Sequence, residues 1–184
     1  RKPPTTNAFN APTHPLSPSL PLFSFQSARL SVRAKWTTQY DQGGLLLHLT
    51  SSSDRNAPDK WLKTGVEYYN GRPYLSTVCC DQYADWSIYP LPSTYNSETD
   101  WVTLEARREG DVNGVGLWVY HIVGGEERVP LREVAWFFAG EGEWGVQVRG
   151  MAARPARRDA VKGAEGEGDG GLDVEIGGWE VATV

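Results

Sequence analysis

The chain has 184 residues, 40% of them hydrophobic, and a formal charge of −5 at pH 7. That is enough apolar material for a single domain with its own core, and the acidic balance excludes nucleic acid as an expected partner, since phosphate backbones call for clustered Lys and Arg. No run approaches the roughly 18 apolar residues that cross a bilayer, so no membrane-spanning role is expected.

The chain opens on Arg1 rather than Met, as expected of a fragment or a processed product. Residues 1–26 carry Pro3, Pro4, Pro12, Pro15, Pro18 and Pro21, which rules out a helix and disfavours a regular inner strand. Phe9, Phe23 and Phe25 punctuate the same stretch, and disordered tails are poor in aromatics. The expectation is an extended Pro-rich arm over 1–26 packed on a domain that spans 27–184. Over 28–36 the residues alternate, with Ala28, Leu30, Val32, Ala34 and Trp36 on one face and Arg29, Ser31, Arg33 and Lys35 on the other. This is the pattern of a half-buried antiparallel strand.

Further strands are predicted at 44–49, 61–69, 74–80, 85–89, 101–107, 115–122, 134–138, 144–149 and 172–183. The polar stretch 50–59 reads as a rim loop, and 129–134 is the one place where a helical turn fits. About ten short strands separated by Gly, Asp and Asn turns indicate an all-β sandwich or jelly roll of antiparallel sheets. Between the last two strands, Arg154, Arg157, Arg158 and Lys162 give way to Glu165-Gly-Glu-Gly-Asp-Gly-Gly171. That composition predicts a flexible surface loop over 154–171. Cys79 and Cys80 are adjacent, whereas an unstrained bridge wants Cα atoms about 4.4–6.8 Å apart, so two buried free thiols are expected. With no disulfide framework and no Asn-x-Ser/Thr sequon, the chain reads as cytoplasmic.

Asn70-Gly71 lies between two alternating runs, the strongest short hairpin signal, because both positions of a type I′ turn need positive φ. A two-residue loop then pairs Tyr69 with Arg72, Glu67 with Tyr74, Gly65 with Ser76, Lys63 with Val78 and Trp61 with Cys80. The alternate pairs, Val66 with Leu75, Thr64 with Thr77 and Leu62 with Cys79, form the apolar set and should face the core. The same parity sends Leu45, Leu47 and Leu49 inward and puts Gln42, Leu46 and His48 on the other side. Gln42, His48, Trp61, Lys63, Glu67, Tyr74, Ser76, Asp85 and Trp86 are therefore the candidate ligand-binding residues. Rings that can stack on the apolar face of a sugar stand beside side chains that can hydrogen-bond its hydroxyls.

No reaction is written into these residues. Glycosidases on related sandwiches use a Glu-x-Asp-x-x-Glu run that brings two carboxylates about 5–5.5 Å apart, and that run is absent here. Glu67 is the best single carboxylate, with Asp41 and Asp85 as candidates to converge on it. A structural Lys63–Glu67 ion pair is the plainer account. The three histidines are scattered, and neither a zinc motif nor a nucleophile elbow is present. A calcium site would draw on Asp41, Asp81 and Asp85, but no ligand-spaced motif marks one. Trp36, Trp118, Trp136 and Trp179 are expected to fill the space between the sheets. No cofactor is expected.

Several segments together resemble the fungal regulation-of-enolase protein family, a group of concanavalin A-like domains of unknown function. They are Arg1-Lys-Pro-Pro, Phe9-Asn-Ala-Pro-Thr, Tyr40-Asp-Gln-Gly-Gly-Leu45, Trp61-Leu-Lys-Thr-Gly-Val-Glu67, Asn70-Gly71, Ala84-Asp-Trp-Ser87, Val146-Gln-Val-Arg-Gly-Met-Ala-Ala-Arg-Pro155 and the stretch 172–184. The resemblance implies a concanavalin A-like jelly roll whose concave face takes a sugar-like ligand, and an indirect role in controlling an enolase. Three readings follow: a non-catalytic module binding a saccharide or small ligand, a domain with a protein partner in carbohydrate metabolism, and a divergent glycoside hydrolase.

Overall fold

A computed structural model describes residues 9–155 and 171–184. Its strands, in chain order, are β1 (Thr13–Pro21), β2 (Phe25–Arg33), β3 (Gln42–Ser51), β4 (Lys60–Tyr69), β5 (Arg72–Cys80) and β6 (Ala84–Pro90), followed by β7 (Val102–Asp111), β8 (Gly114–Val123), β9 (Glu127–Val134), β10 (Trp144–Ala153) and β11 (Glu175–Thr183). They form a six-stranded sheet, β1-β10-β3-β4-β5-β6, and a five-stranded sheet, β11-β2-β7-β8-β9. Neighbours in both sheets run antiparallel. The result is the all-β sandwich expected of the alternating pattern, consistent with a jelly roll. Among the described residues no helix is long and apolar enough to cross a membrane.

Strand alternation builds the core directly. Ala28, Leu30 and Val32 of β2 and Leu104, Ala106, Leu117 and Val119 of β7 and β8 meet Leu45, Leu47, Leu49, Leu62, Val66, Val146 and Val148 of the larger sheet, all of them buried. Each fully buried Val or Leu contributes about 1.5–3 kcal/mol, so this interface holds the two layers together. The hairpin register has the pairs that the Asn70-Gly71 turn predicts, from Tyr69 opposite Arg72 to Trp61 opposite Cys80. Asn70 and Gly71 both take positive φ, 47° and 82°. Cys79 and Cys80 are both buried, one facing the core and the other facing outward, and burial pushes the Cys79 thiol up to about 11.

Three features differ from the sequence reading. The Pro-rich segment contains β1, an edge strand paired with β10, whose register shifts between Pro15 and Ser19. Only an edge strand tolerates so many missing N–H donors. The stretch 129–134, which fits a helical turn, belongs to strand β9, and 135–138 is a turn rather than the predicted strand. Pro130 sits at a register shift on this outermost strand, which explains both its tolerance and its weak strand signal. Finally, Trp179 is 54% exposed, and Trp118 stacks on Tyr120 with ring centroids 6.1 Å apart on the outer side of β8, whose inward residues are Leu117 and Val119. Those two rings do not fill the space between the sheets, whereas Trp36 does.

Most of the loop expected over 154–171 lies outside the described residues. Arg154 is described, and it is anchored: its Nε donates to Asp41 Oδ1 at 2.7 Å and its Nη2 to Asp41 Oδ2 at 2.8 Å. Asp41 has no exposed surface, and it also accepts the backbone N–H groups of Thr37 and Thr38. Burial alone would push its carboxyl up. The Arg154 hydrogen bonds, the two backbone donors and the Arg154 charge outweigh that and hold it below the ordinary carboxylate value.

Candidate ligand-binding face

The candidate face is the side of the six-stranded sheet turned away from the core. Its floor is set by two paired glycines, Gly44 of β3 and Gly65 of β4. A Cβ on Gly65 would lie 2.0 Å from the Gly43 carbonyl oxygen, and one on Gly44 would lie 2.2 Å from the Thr64 carbonyl oxygen. Only glycine allows so close a backbone approach. It leaves a dimple of about 10 Å³ bordered by Gln42, Lys63, Glu67, Ser76 and Met151, room for about one water molecule.

A chain of polar contacts surrounds that dimple. Lys63 Nζ donates to Gln42 Oε1 and lies 3.8 Å from Glu67 Oε2. The same Glu67 oxygen accepts from Ser76 Oγ at 2.6 Å, and Ser76 Oγ accepts from Trp86 Nε1 at 3.1 Å. Glu67 is only 6% exposed, while Trp86 is 42% exposed, so the network runs from a buried carboxylate to a surface ring. Tyr69 stands edge-on to Trp86, with centroids 5.2 Å apart, and links to Tyr40 and Tyr74 at 5.9 and 6.3 Å. The Arg72 guanidinium covers the Tyr74 ring at 4.8 Å. An aromatic rim around satisfied polar groups is suited to binding a hydroxylated ring, with stacking on one part and hydrogen bonding on the other.

The structure thus brings Gln42, Lys63, Glu67, Tyr74, Ser76 and Trp86 together. It does not bring Asp85 to them. Asp85 pairs with core-facing Cys79, so it points to the opposite side from Trp86 and forms an ion pair with Arg132 of β9. His48 and Trp61 share the face but belong to a separate cleft of about 410 Å³, bordered by Phe9, Leu46, His48, Asp59, Trp61 and Arg149. Trp61 is only 3% exposed because the Phe9 ring packs edge-on against it at 5.2 Å, so stacking of Trp61 on a sugar is blocked. His48 Nε2 and Asp59 Oδ2 are 2.9 Å apart.

Several residues of this face lie outside the candidate set, Tyr69 and Arg149 among them. Tyr69 is placed here by the same parity as Glu67, so its signal was already in the hairpin. Arg149 needed the knowledge that β10 lies beside β3, with Arg149 opposite Leu46.

Among the described residues the carboxylates do not form a hydrolytic pair. Asp41 is locked to Arg154, Asp81 to Lys60 and Asp85 to Arg132, which also separates the three aspartates from which a calcium site would be built. Asp59 precedes the far end of β4, eight residues from Glu67, or about 27 Å at strand rise. A retaining pair needs about 5–5.5 Å. Among the described residues no group of three or more His, Cys, Asp or Glu side chains converges on a metal site.

Residues 4–182 match the family described as protein of unknown function, DUF1349. The chain belongs to that DUF1349 family. An uncharacterized protein of Emericella nidulans is 44% identical over 156 residues, which is 84% of this chain and 71% of the relative. The crystal structure of a functionally unknown protein from Saccharomyces cerevisiae superposes with a TM-score of 0.61 at 20% identity, covering 96% of this chain and 74% of that one. At that identity the likeness speaks for the fold alone. DUF1349 membership supports a domain family of unknown function and does not carry the link to an enolase that the resemblance implied.

Proposed function

We propose that the chain is a non-catalytic binding domain that takes a saccharide on the outer face of its six-stranded sheet, centred on Glu67 and Trp86. The observation that carries this reading is the continuous contact series from Lys63 through Glu67 and Ser76 to the exposed Trp86 ring. Its polar groups are already oriented by one another, so little ordering is lost when a ligand docks, and preorganisation of that kind favours affinity. Among the described residues no second carboxylate stands in the Glu67 network, which favours binding over hydrolysis, because the general acid and the nucleophile are separate groups in glycosidases.

Calorimetric titration of the purified domain with neutral oligosaccharides tests this directly. Saturable binding is expected, weakened at least tenfold in Trp86→Ala and in Glu67→Gln, with no reducing ends released on long incubation. Unchanged affinity in both variants contradicts the site, and turnover abolished by Glu67→Gln contradicts the non-catalytic assignment.

A further inference from the structure

The half-buried arginines of the described residues form a nearly uniform set. Arg29 meets Glu105, Arg33 meets Glu175, Arg108 meets Glu141, Arg132 meets Asp85 and Arg154 meets Asp41. Arg149 is half-buried as well, yet no carboxylate pairs with it among the described residues, and its buried Nε has no hydrogen-bond partner there. A guanidinium withdrawn from water without an anion is costly. This one borders the 410 Å³ cleft, beside the apolar walls of Phe9 and Leu46.

We propose that the cleft takes the carboxylate of an acidic sugar, a uronate, on Arg149, with the sugar ring against Phe9. The inference rests on the saccharide reading above and extends it to the chemical class of the ligand. The planar guanidinium fork matches a carboxylate in a two-bond arrangement. Asp59 borders the same cleft and is held against His48, so a phosphate dianion would meet a like charge where a single carboxylate meets less. Placement agrees with this. Arg149, Leu46 and Lys63 lie in one row across β10, β3 and β4, which puts Arg149 about 10 Å from Lys63 at two strand spacings. A short saccharide chain can reach from the cleft to the Glu67 dimple.

The test is an NMR titration of the whole chain that follows the Arg149 Nε–H and Trp86 indole N–H signals, with galacturonate, methyl galactoside and inorganic phosphate as probes. Galacturonate is expected to move the Arg149 signal saturably and methyl galactoside to leave it in place. Arg149→Gln should weaken galacturonate binding at least tenfold, with Arg149→Lys intermediate because it keeps the charge and loses the fork. The proposal is overturned if galacturonate leaves Arg149 unmoved, if Arg149→Gln binds it as well as the wild type, or if phosphate binds as tightly. A Trp86 signal indifferent to every sugar while Arg149 responds would remove the saccharide face and keep the carboxylate cleft, so the two readings fail separately.

Discussion

Two carboxylates at one end of the β3–β4 pair, Asp41 opposite Tyr68 and Glu67 one residue before Tyr68, illustrate how surroundings assign different roles to the same chemical group. Asp41 is sealed from solvent and neutralised by the Arg154 fork, so its work is to tie the end of β10 to the start of β3. Glu67 is nearly as buried, but its donors, Ser76 and the more distant Lys63, lead to an exposed ring. Asp41→Asn should therefore destabilise the fold by about 3 kcal/mol, the scale of breaking a buried charge pair, as read from the urea midpoint. The wild type carries a matching pH dependence. Because folding lowers the Asp41 pKa, its stabilisation is fully present above the unfolded carboxylate value near about 3.9 and fades as pH falls through the lower folded value. That acid-side loss should shrink in Asp41→Asn, and an identical acid profile in the variant contradicts the role given to the Asp41–Arg154 pair.

Along the β4–β5 hairpin, two glycines are required for different reasons, and mutation separates them. Gly71 has positive φ and open space around it, so Gly71→Ala should cost only the left-handed backbone penalty of about 1 kcal/mol. Gly65 faces backbone at 2.0 Å, which cannot move like a side chain. Gly65→Ala should cost about 3 kcal/mol, the upper range of overpacking, and should also disturb binding because it forces β3 and β4 apart beneath the dimple. Equal urea midpoints for the two variants would contradict this distinction. At this scale the sequence was readable wherever a turn specified register: Asn70-Gly71 alone orders β4 against β5 from Tyr69 to Trp61. It was unreadable on two of the four edge strands, β1 and β9, whereas the edge strands β6 and β11 were legible. The prolines of β1 and β9 argue against strand locally, and only a position at a sheet edge makes them admissible.

Across the whole molecule, what decides the site is which distant segments lie over the sheet. Alternation assigned Lys63, Glu67 and Ser76 to the right face, but Asp85 and Trp86, as strand neighbours, could not both share it. Nor could sequence show that Phe9 covers Trp61, because that contact joins residues 52 positions apart with no pattern between them. Phe9→Ala should uncover Trp61 and shift tryptophan emission to the red, and the shift should vanish when Trp61→Phe is added. An unshifted spectrum contradicts the cover. The central claim is that the outer face of the six-stranded sheet binds a saccharide through Glu67 and Trp86. A glycan array probed with the wild-type domain and with Trp86→Ala tests it most directly. Retention of one structurally related set of glycans by the wild type, lost in the folded variant, is the predicted result. An array on which the wild type binds no glycan, or on which both proteins bind alike, contradicts the claim.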